Sequence, residues 1–211
     1  VENCTVSDMT YYGICMRPQA PMNNTMNITY CNISNIGGYG IYIESANASY
    51  VRCWIAYNNI YECNVSGIAE HHNMADSNGT CSIYSNFIYE CNISGIELFK
   101  AYGTIIESNW LDGNNTDMAR CIEIKGSDWI TIRYNSLGYC KYYGGDAYGI
   151  YINGSVAKNN NTVIDSNYVY NVDGVGIYIC NSTDTRITYN YVYGVYSGGI
   201  HLCSSAGTRI E

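Results

Sequence analysis

A four-residue motif, Gly-Ile-x-Ile or a close variant of it, recurs along the whole chain at a nearly fixed interval. It is clearest at Gly176-Ile177-Tyr178-Ile179, and its first isoleucines are Ile14, Ile41, Ile68, Ile96, Ile122, Ile150, Ile177 and Ile200. The steps between these isoleucines are 27, 27, 28, 26, 28, 27 and 23 residues. A period of this length is the signature of a repeat architecture, in which each unit buries its apolar side against its neighbours.

Each repeat also holds a second apolar strand and an asparagine at a fixed offset. Six isoleucines are each followed three residues later by asparagine, at Asn58, Asn86, Asn109, Asn135, Asn167 and Asn190. The apolar residues alternate with outward ones, which is typical of a strand with one buried face. Asparagine tolerates the left-handed backbone of a sharp corner, and stacked amides can hydrogen-bond between layers. We therefore expect three short strands and three turns per coil.

These features resemble the short PbH1-type repeats of right-handed parallel β-helices in the pectate-lyase-like superfamily. The resemblance extends over nearly all 211 residues. It implies an all-β, right-handed parallel β-helix of seven to eight coils of about 27 residues, as one domain over residues 1–211 and without a capping helix. The matching residues specify a fold and carry no activity of their own.

Composition limits the partners. The net charge is −8 with only 13% charged residues, which argues against nucleic acid or an anionic membrane surface. No apolar run approaches the length of a membrane span, and no cofactor is predicted. No signal-peptide pattern is present, and a chain that begins at Val1 is expected to be processed or trimmed.

Sequons for N-linked glycans are unusually frequent. Twelve asparagines head an Asn-x-Ser/Thr sequon where composition predicts about four, at Asn3, Asn23, Asn27, Asn32, Asn47, Asn64, Asn78, Asn92, Asn114, Asn153, Asn160 and Asn181. Corner preferences for Asn, Ser and Thr explain part of the excess, but we interpret it as a glycoprotein outside the cell. Incomplete occupancy is expected at Asn32, Asn64 and Asn92, which are predicted to stack too closely for bulky glycans.

The eleven cysteines agree with an extracellular location. Four pairs lie one coil apart, namely Cys53 and Cys81, Cys63 and Cys91, Cys180 and Cys203, and Cys4 and Cys31. Because neighbouring parallel strands are about 4.8 Å apart, we predict four disulfides between coils. In the alternative, buried cysteine simply replaces valine. Cys121 and Cys140, predicted on adjacent coils, and Cys15 have no assigned partner.

Superfamily resemblance implies where chemistry would lie. Its members often cleave or epimerise acidic polysaccharides on an outward strand face with clustered carboxylates, Arg or Lys, and sometimes calcium. Glu97 and Glu123 occupy one outward column and are predicted about 5 Å apart, near the separation of a retaining carboxylate pair. They are the best catalytic candidates, although no basic residue shares their column. Enzymatic activity is left open, and the sequence favours its absence.

Three further sets of side chains lie on the outer face of the predicted coils. Glu107, Arg133 and Asp165 share a column and are predicted to form an ion ladder. The adjacent His71 and His72 point to opposite sides of an extended backbone, so no metal site is predicted. Seven tyrosines form two columns suited either to sugars or another subunit, or to packing on one another, namely Tyr42, Tyr151, Tyr178, Tyr61, Tyr89, Tyr170 and Tyr193.

Two functions follow from these observations. The favoured hypothesis is an extracellular, glycosylated, disulfide-stapled structural protein whose copies join head to tail into a surface filament, because no cap is visible at either end. Its predicted interface consists of Ile14, Met16, Ile200, Leu202 and Ile210. The alternative is a β-helix that binds or cleaves extracellular polysaccharide.

Overall fold

The chain winds into a β-solenoid of about seven turns. The computed structural model describes residues 1–17, 25–45, 52–72, 80–113, 117–154 and 159–211. Three parallel sheets of eight strands each run along the solenoid, and successive strands of a sheet come from successive coils. Within those residues every regular element is a strand and none is a helix. The predicted all-β solenoid is confirmed.

The three sheets are named in the order in which a coil meets them. The first sheet contains the repeated motif, in Tyr12–Met16, Tyr39–Ser45, Ser66–His72, Ser94–Phe99, Arg120–Lys125, Ala147–Asn153, Gly174–Cys180 and Gly198–Cys203. The second precedes the asparagine, in Thr25–Thr29, Arg52–Ala56, Thr80–Tyr84, Ile105–Glu107, Thr131–Arg133, Val163–Asp165, Arg186–Thr188 and Arg209–Ile210. The third follows it, in Thr5–Met9, Asn32–Ile36, Asn59–Cys63, Phe87–Cys91, Trp110–Asp112, Ser136–Gly138, Tyr168–Tyr170 and Tyr191–Tyr193. A small extra sheet pairs Asn159–Asn160 with Ser182–Thr183.

Stacked aliphatic side chains fill the interior. The repeated isoleucines pair in register, as Ile96 does with Ile122, and they have no exposed surface in the middle coils. Most copies need the glycine before the isoleucine, because a Cβ on Gly40, for example, would lie 2.6 Å from the Gly67 carbonyl oxygen of the next coil. Close approach of successive coils therefore explains the Gly-Ile-x-Ile motif.

The asparagines form a continuous buried ladder at the corner between the second and third sheets. Asn109 Oδ1 accepts from the Asn86 backbone N–H at 2.9 Å, and Asn109 Nδ2 donates to the Ile83 carbonyl at 2.8 Å. It also donates to Asn135 Oδ1 at 3.1 Å. The stacked amides are as predicted, but the left-handed residue is the one before the asparagine, such as Ser108 with φ 56°. The asparagine side chain points inward because its amide makes the hydrogen bonds to the neighbouring coils.

The cysteines are all within the described ranges, and four of them are bonded. Cys53 is bonded to Cys81 on the next coil, as predicted. A second disulfide joins Cys121 to Cys140. The expectation of adjacent coils for this pair was wrong, because Cys121 replaces the motif glycine and faces the third-sheet corner of its own coil. Gly67 and Cys91 occupy the equivalent positions in an earlier coil. They are similarly close, since a Cβ on Gly67 would lie 3.3 Å from Cys91 Sγ.

The other three predicted pairs are free thiols in this structure. Cys63 and Cys91 lie opposite each other, but each Sγ contacts the carbonyl two residues before it. Cys180 Sγ and Cys203 Sγ are 2.7 Å apart. Cys4 Sγ and Cys31 Sγ contact the carbonyls of Glu2 and Thr29, both at 3.3 Å. Bonds in these three pairs therefore remain predictions for the oxidised protein.

Outward side chains mostly contact their equivalents on the next coil. Tyr61 stacks on Tyr89 with ring centroids 4.8 Å apart, and Tyr151 stacks on Tyr178 at 5.2 Å. In the predicted ion ladder Arg133 Nη2 is 2.8 Å from Glu107 Oε2, while Asp165 instead accepts from the Thr188 hydroxyl. The tyrosine columns therefore pack on one another and present ring edges to solvent.

Candidate functional site

The predicted carboxylate pair lies in the middle of the outward face of the first sheet. Glu97 and Glu123 are register partners on neighbouring strands, as expected. Lys125 Nζ is 2.6 Å from Glu123 Oε1, Arg120 Nη1 is 3.3 Å from the same oxygen, and the Ser94 hydroxyl donates to Oε2 at 3.0 Å. Only 1% of Glu123 is exposed, so this carboxylate is held as part of an ion network.

Glu97 is the more accessible carboxylate. His71 Nε2 is 3.2 Å from Glu97 Oε1, and the Ser66 hydroxyl donates to Oε2 at 2.9 Å. Burial by itself would raise the pKa of Glu97, but the bond and charge of His71, together with Ser66 and Lys125, lower it below its ordinary value. Glu97 therefore stays ionised and is suited to a charged or basic role rather than to donating a proton.

Aromatic rings border this cluster on both sides. The Arg120 guanidinium lies 4.8 Å from the Tyr151 ring centroid, and the Tyr42 hydroxyl is 3.4 Å from His71 Nδ1. Burial first, and then nearby Glu44, raise the pKa of Tyr42 to about 12, so it is a neutral hydrogen-bonding group at physiological pH. We call Glu97, Glu123, His71, Arg120 and Lys125 the charged cluster.

The sequence did not reveal the basic members of the charged cluster. The column of Glu97 and Glu123 itself contains no Lys or Arg, as stated above, and Lys125 and His71 belong to the next outward column. Alternation along a strand places residues i and i+2 on the same face, so Lys125 could have been assigned to Glu123 from spacing alone. Arg120 could not, because its contact depends on how its long side chain lies over the strand.

The two adjacent histidines point to opposite sides, as predicted. His71 is outward, whereas His72 is inside the coil with Nε2 2.7 Å from Glu70 Oε1. The Thr104 hydroxyl donates to Glu70 Oε2 at 2.8 Å. In the parts of the chain that the structure describes, no three His, Cys, Asp or Glu side chains form a metal-binding group.

The outermost coils expose apolar residues that are covered elsewhere. At the C-terminal side Ile200, Leu202 and Ile210 are 37%, 40% and 54% exposed. A Cβ added to Gly199 would meet nothing within 4 Å, unlike one on Gly176, which would lie 2.7 Å from the Gly199 carbonyl. The first coil differs, since Met16 is half-buried and Ile14 is only 9% exposed. Ile14 is therefore a poorer interface residue than its position in the motif predicts.

The sequons are divided between exposed and partly covered positions. Asn3, Asn27, Asn64, Asn92 and Asn181 are exposed, and Asn32, Asn153 and Asn160 are half-buried. Asn23, Asn47, Asn78 and Asn114 lie outside the described residues. Asn92 Nδ2 donates to Asn64 Oδ1 at 3.3 Å, so these two stack as predicted. The stacking of Asn32 with them was wrong, because it pairs with Asn59 in the coil register.

Comparisons with known proteins agree with this architecture. The family described as "Right handed beta helix region" matches residues 1–159. No curated protein sequence matches the chain. No helix among the described residues is long and apolar enough to cross a membrane.

Solved structures share the fold at low sequence identity. The enzymatically active domain of tailspike protein 2 from bacteriophage CBA120 is 14% identical with a TM-score of 0.65, over 95% of this chain and 33% of that one. DFA-IIIase from Arthrobacter chlorophenolicus A6, in complex with GF2, is 13% identical with a TM-score of 0.65, over 98% and 53%. The periplasmic alginate epimerase AlgG is 14% identical with a TM-score of 0.53, over 86% and 46%. This chain therefore spans a third to about half of their lengths. Because the family match covers residues 1–159, the chain belongs to the right-handed β-helix family.

Proposed function

We propose that this protein is an exported structural β-helix whose copies stack head to tail into a filament. The observation that carries the proposal is the regular stacking itself, in which each sheet adds one strand per coil and each coil covers the apolar residues of the coil before it. Burial of such surface stabilises by about 25 cal/mol per Å², so a covering coil would be strongly favoured. Either further chain or another copy can supply it, and the proposal commits to another copy.

Matching sheet edges support this occupant. The three sheets end at Tyr191–Tyr193, Gly198–Cys203 and Arg209–Ile210, and they begin at Thr5–Met9, Tyr12–Met16 and Thr25–Thr29. Stacking would extend the first and third sheets by pairing one last strand with one first strand, since unpaired strand edges are templates for such pairing. The first strand of the second sheet is already bonded on that side, because the Thr29 N–H donates to the Val1 carbonyl at 3.0 Å.

The outer surface also suits a structural role. Stacked tyrosines and the Glu107–Arg133 ion pair are used between coils, and such contacts repeat without needing a ligand. The disulfides Cys53–Cys81 and Cys121–Cys140 are of a kind that persists in oxidising compartments, which supports export. We also propose N-linked glycans on the exposed sequons, as expected for an extracellular protein. Intact-mass analysis before and after deglycosylation tests that part, and an unshifted mass would contradict it.

A Gly199→Val variant tests the stacking. In the single chain a valine side chain at position 199 has room. A coil stacked on it would bring a backbone carbonyl too close, as the Gly199 carbonyl oxygen is to a Cβ on Gly176. We expect filaments of the unmodified protein in negative-stain microscopy and monomers of the variant. A His201→Val control, on the outward side of the same strand, should still polymerise. Monomeric unmodified protein at high concentration, or a gene encoding further coils beyond these edges, would refute the proposal.

A second candidate is binding or modification of an acidic polysaccharide at the charged cluster. The observation favouring it is the row of His71, Lys125 and Arg120 around an ionised Glu97, since cations neutralise uronate carboxylates and a carboxylate can accept a proton. The alginate epimerase among the similar structures adds fold-level analogy only. Calorimetry with oligouronates decides it, with Lys125→Met expected to weaken binding. No heat of binding, or an unaffected variant, would reject this candidate.

A further inference from the structure

We propose that an aromatic pocket at the corner loop after Cys140 binds a neutral pyranose sugar. We call this pocket the corner pocket, and it is lined by Lys141, Tyr142, Tyr143, Asp173 and Tyr196. Its volume is about 290 Å³. It shares no residue with the charged cluster, and sugar binding there does not require a second copy of the chain.

The three tyrosines of the corner pocket differ from the tyrosine columns in having ring faces available. Tyr142, Tyr143 and Tyr196 are 44%, 75% and 89% exposed. Among the described residues no other aromatic ring stacks on any of them, whereas Tyr61 and Tyr89 cover each other's faces. A flat apolar face with a polar tip matches the C–H face of a pyranose ring with its hydroxyl rim.

Local contacts hold the pocket walls in place. The Tyr142 ring packs on Gly144, where a Cβ would lie 2.8 Å from the ring. Lys141 Nζ lies 4.9 Å from the Tyr143 ring centroid, which fixes that ring by a cation–π contact. The loop root is the Cys121–Cys140 disulfide, and the Asp173 N–H donates to the Cys140 carbonyl at 3.0 Å. The Tyr142 and Tyr143 walls are therefore already ordered and lose little entropy on binding.

The polar groups of the pocket are suited to sugar hydroxyls. Lys141 Nζ and Asp173 Oδ2 are 3.8 Å apart, within ion-pair distance but too far for a direct hydrogen bond. Both therefore keep hydrogen-bonding capacity at the pocket rim. A hydroxyl can donate to the carboxylate while a neighbouring one accepts from the ammonium, and the balanced charges favour an uncharged sugar over a uronate.

Binding to a defined panel tests the proposal. The probes are maltose, cellobiose, chitobiose and galactobiose as neutral sugars, and digalacturonate as the charged one, each titrated by NMR against the full chain. We expect at least one neutral disaccharide to bind saturably, and we expect Tyr143→Ala or Tyr196→Ala to weaken it about tenfold, the loss of one ring contact. Tyr143→Phe should retain binding because the ring face is kept.

Tyr189→Ala is the matched control, since Tyr189 is 80% exposed at another corner and does not line the pocket. It should leave the affinity unchanged. The proposal is overturned if no neutral disaccharide binds, if only digalacturonate binds, or if binding is the same in Tyr143→Ala and Tyr196→Ala. The monomeric Gly199→Val protein should bind equally well, which separates this site from polymer formation.

Discussion

An inner coil and the last coil have nearly the same sequence pattern but very different surroundings. Ile132 and Ile210 occupy one column of the second sheet, yet Ile132 is completely buried and Ile210 is 54% exposed. Asn109 bonds to coils on both sides, whereas Asn190 bonds only to the coil before it. The contribution of one motif to the stability of the fold thus depends on how many neighbouring coils it contacts, as expected for a one-dimensional repeat protein.

The largest expected difference is in the aliphatic column. Ile132→Ala should lower the free energy of unfolding by about 4 kcal/mol, because a large buried side chain is lost and a cavity remains. Ile210→Ala in the monomer should cost less than about 1 kcal/mol, since that side chain is already exposed. Urea unfolding of both variants measures this. Equal losses would show that the last coil is covered in solution.

The Cys121–Cys140 disulfide of the inner coils gives the next largest effect. Replacing both Cys121 and Cys140 by serine should cost about 3 kcal/mol by loop entropy, since the bond closes a loop of 19 residues. A Cys15→Ser control, at an exposed free thiol, should be neutral. Thermal unfolding compares the variants. If mild oxidation also joined Cys180 to Cys203, the last coil should gain stability and resemble the inner coils more closely.

The asparagine ladder provides a smaller test of the same idea. Asn109→Ala leaves the Asn86 amide and the Ile83 carbonyl without their partner, so we expect a loss of about 3 kcal/mol. Asn190→Ala should lose about 1 kcal/mol less, because no following coil depends on it. Hydrogen exchange at the backbone N–H of Asn86 and of Asn167 reports each break. Similar exchange rates in both variants would contradict the comparison.

The smallest expected effect is the pH dependence of the charged cluster. Because the folded pKa of Glu97 lies below its unfolded value of 4.5, its stabilisation is present at neutral pH and is lost as the pH falls below 4.5 and through the folded pKa. His71→Ala should flatten this acid limb of the melting temperature. His201→Ala, in the last coil and without a carboxylate partner among the described residues, should leave it unchanged. If the melting temperatures of the unmodified protein and both variants fell equally at acid pH, the interaction of His71 with Glu97 would be contradicted.

Repeat-level features could be predicted from the sequence because they depend on local spacing. The strand order, the buried isoleucines and the stacking of Glu97 over Glu123 follow once the period is known. The Cys121–Cys140 bond could not be assigned, because it crosses the interior of one coil and does not follow the period. The left-handed residue was predicted one position too late, at the asparagine and not at the residue before it. Asparagine is favoured both at left-handed corners and in amide ladders, so its presence does not tell the two roles apart.

The sequence by itself determined the coil, since a Gly-Ile-x-Ile strand and an inward asparagine every 27 or so residues are satisfied only by stacking on a copy of themselves. Tertiary structure alone decided what the outward side chains do. Whether a tyrosine stacks on its neighbour, as Tyr61 does, or keeps a free face, as Tyr196 does, depends on the corner loops and on side-chain directions between coils. Those contacts join residues whose separation varies with every insertion, so periodicity carries no information about them.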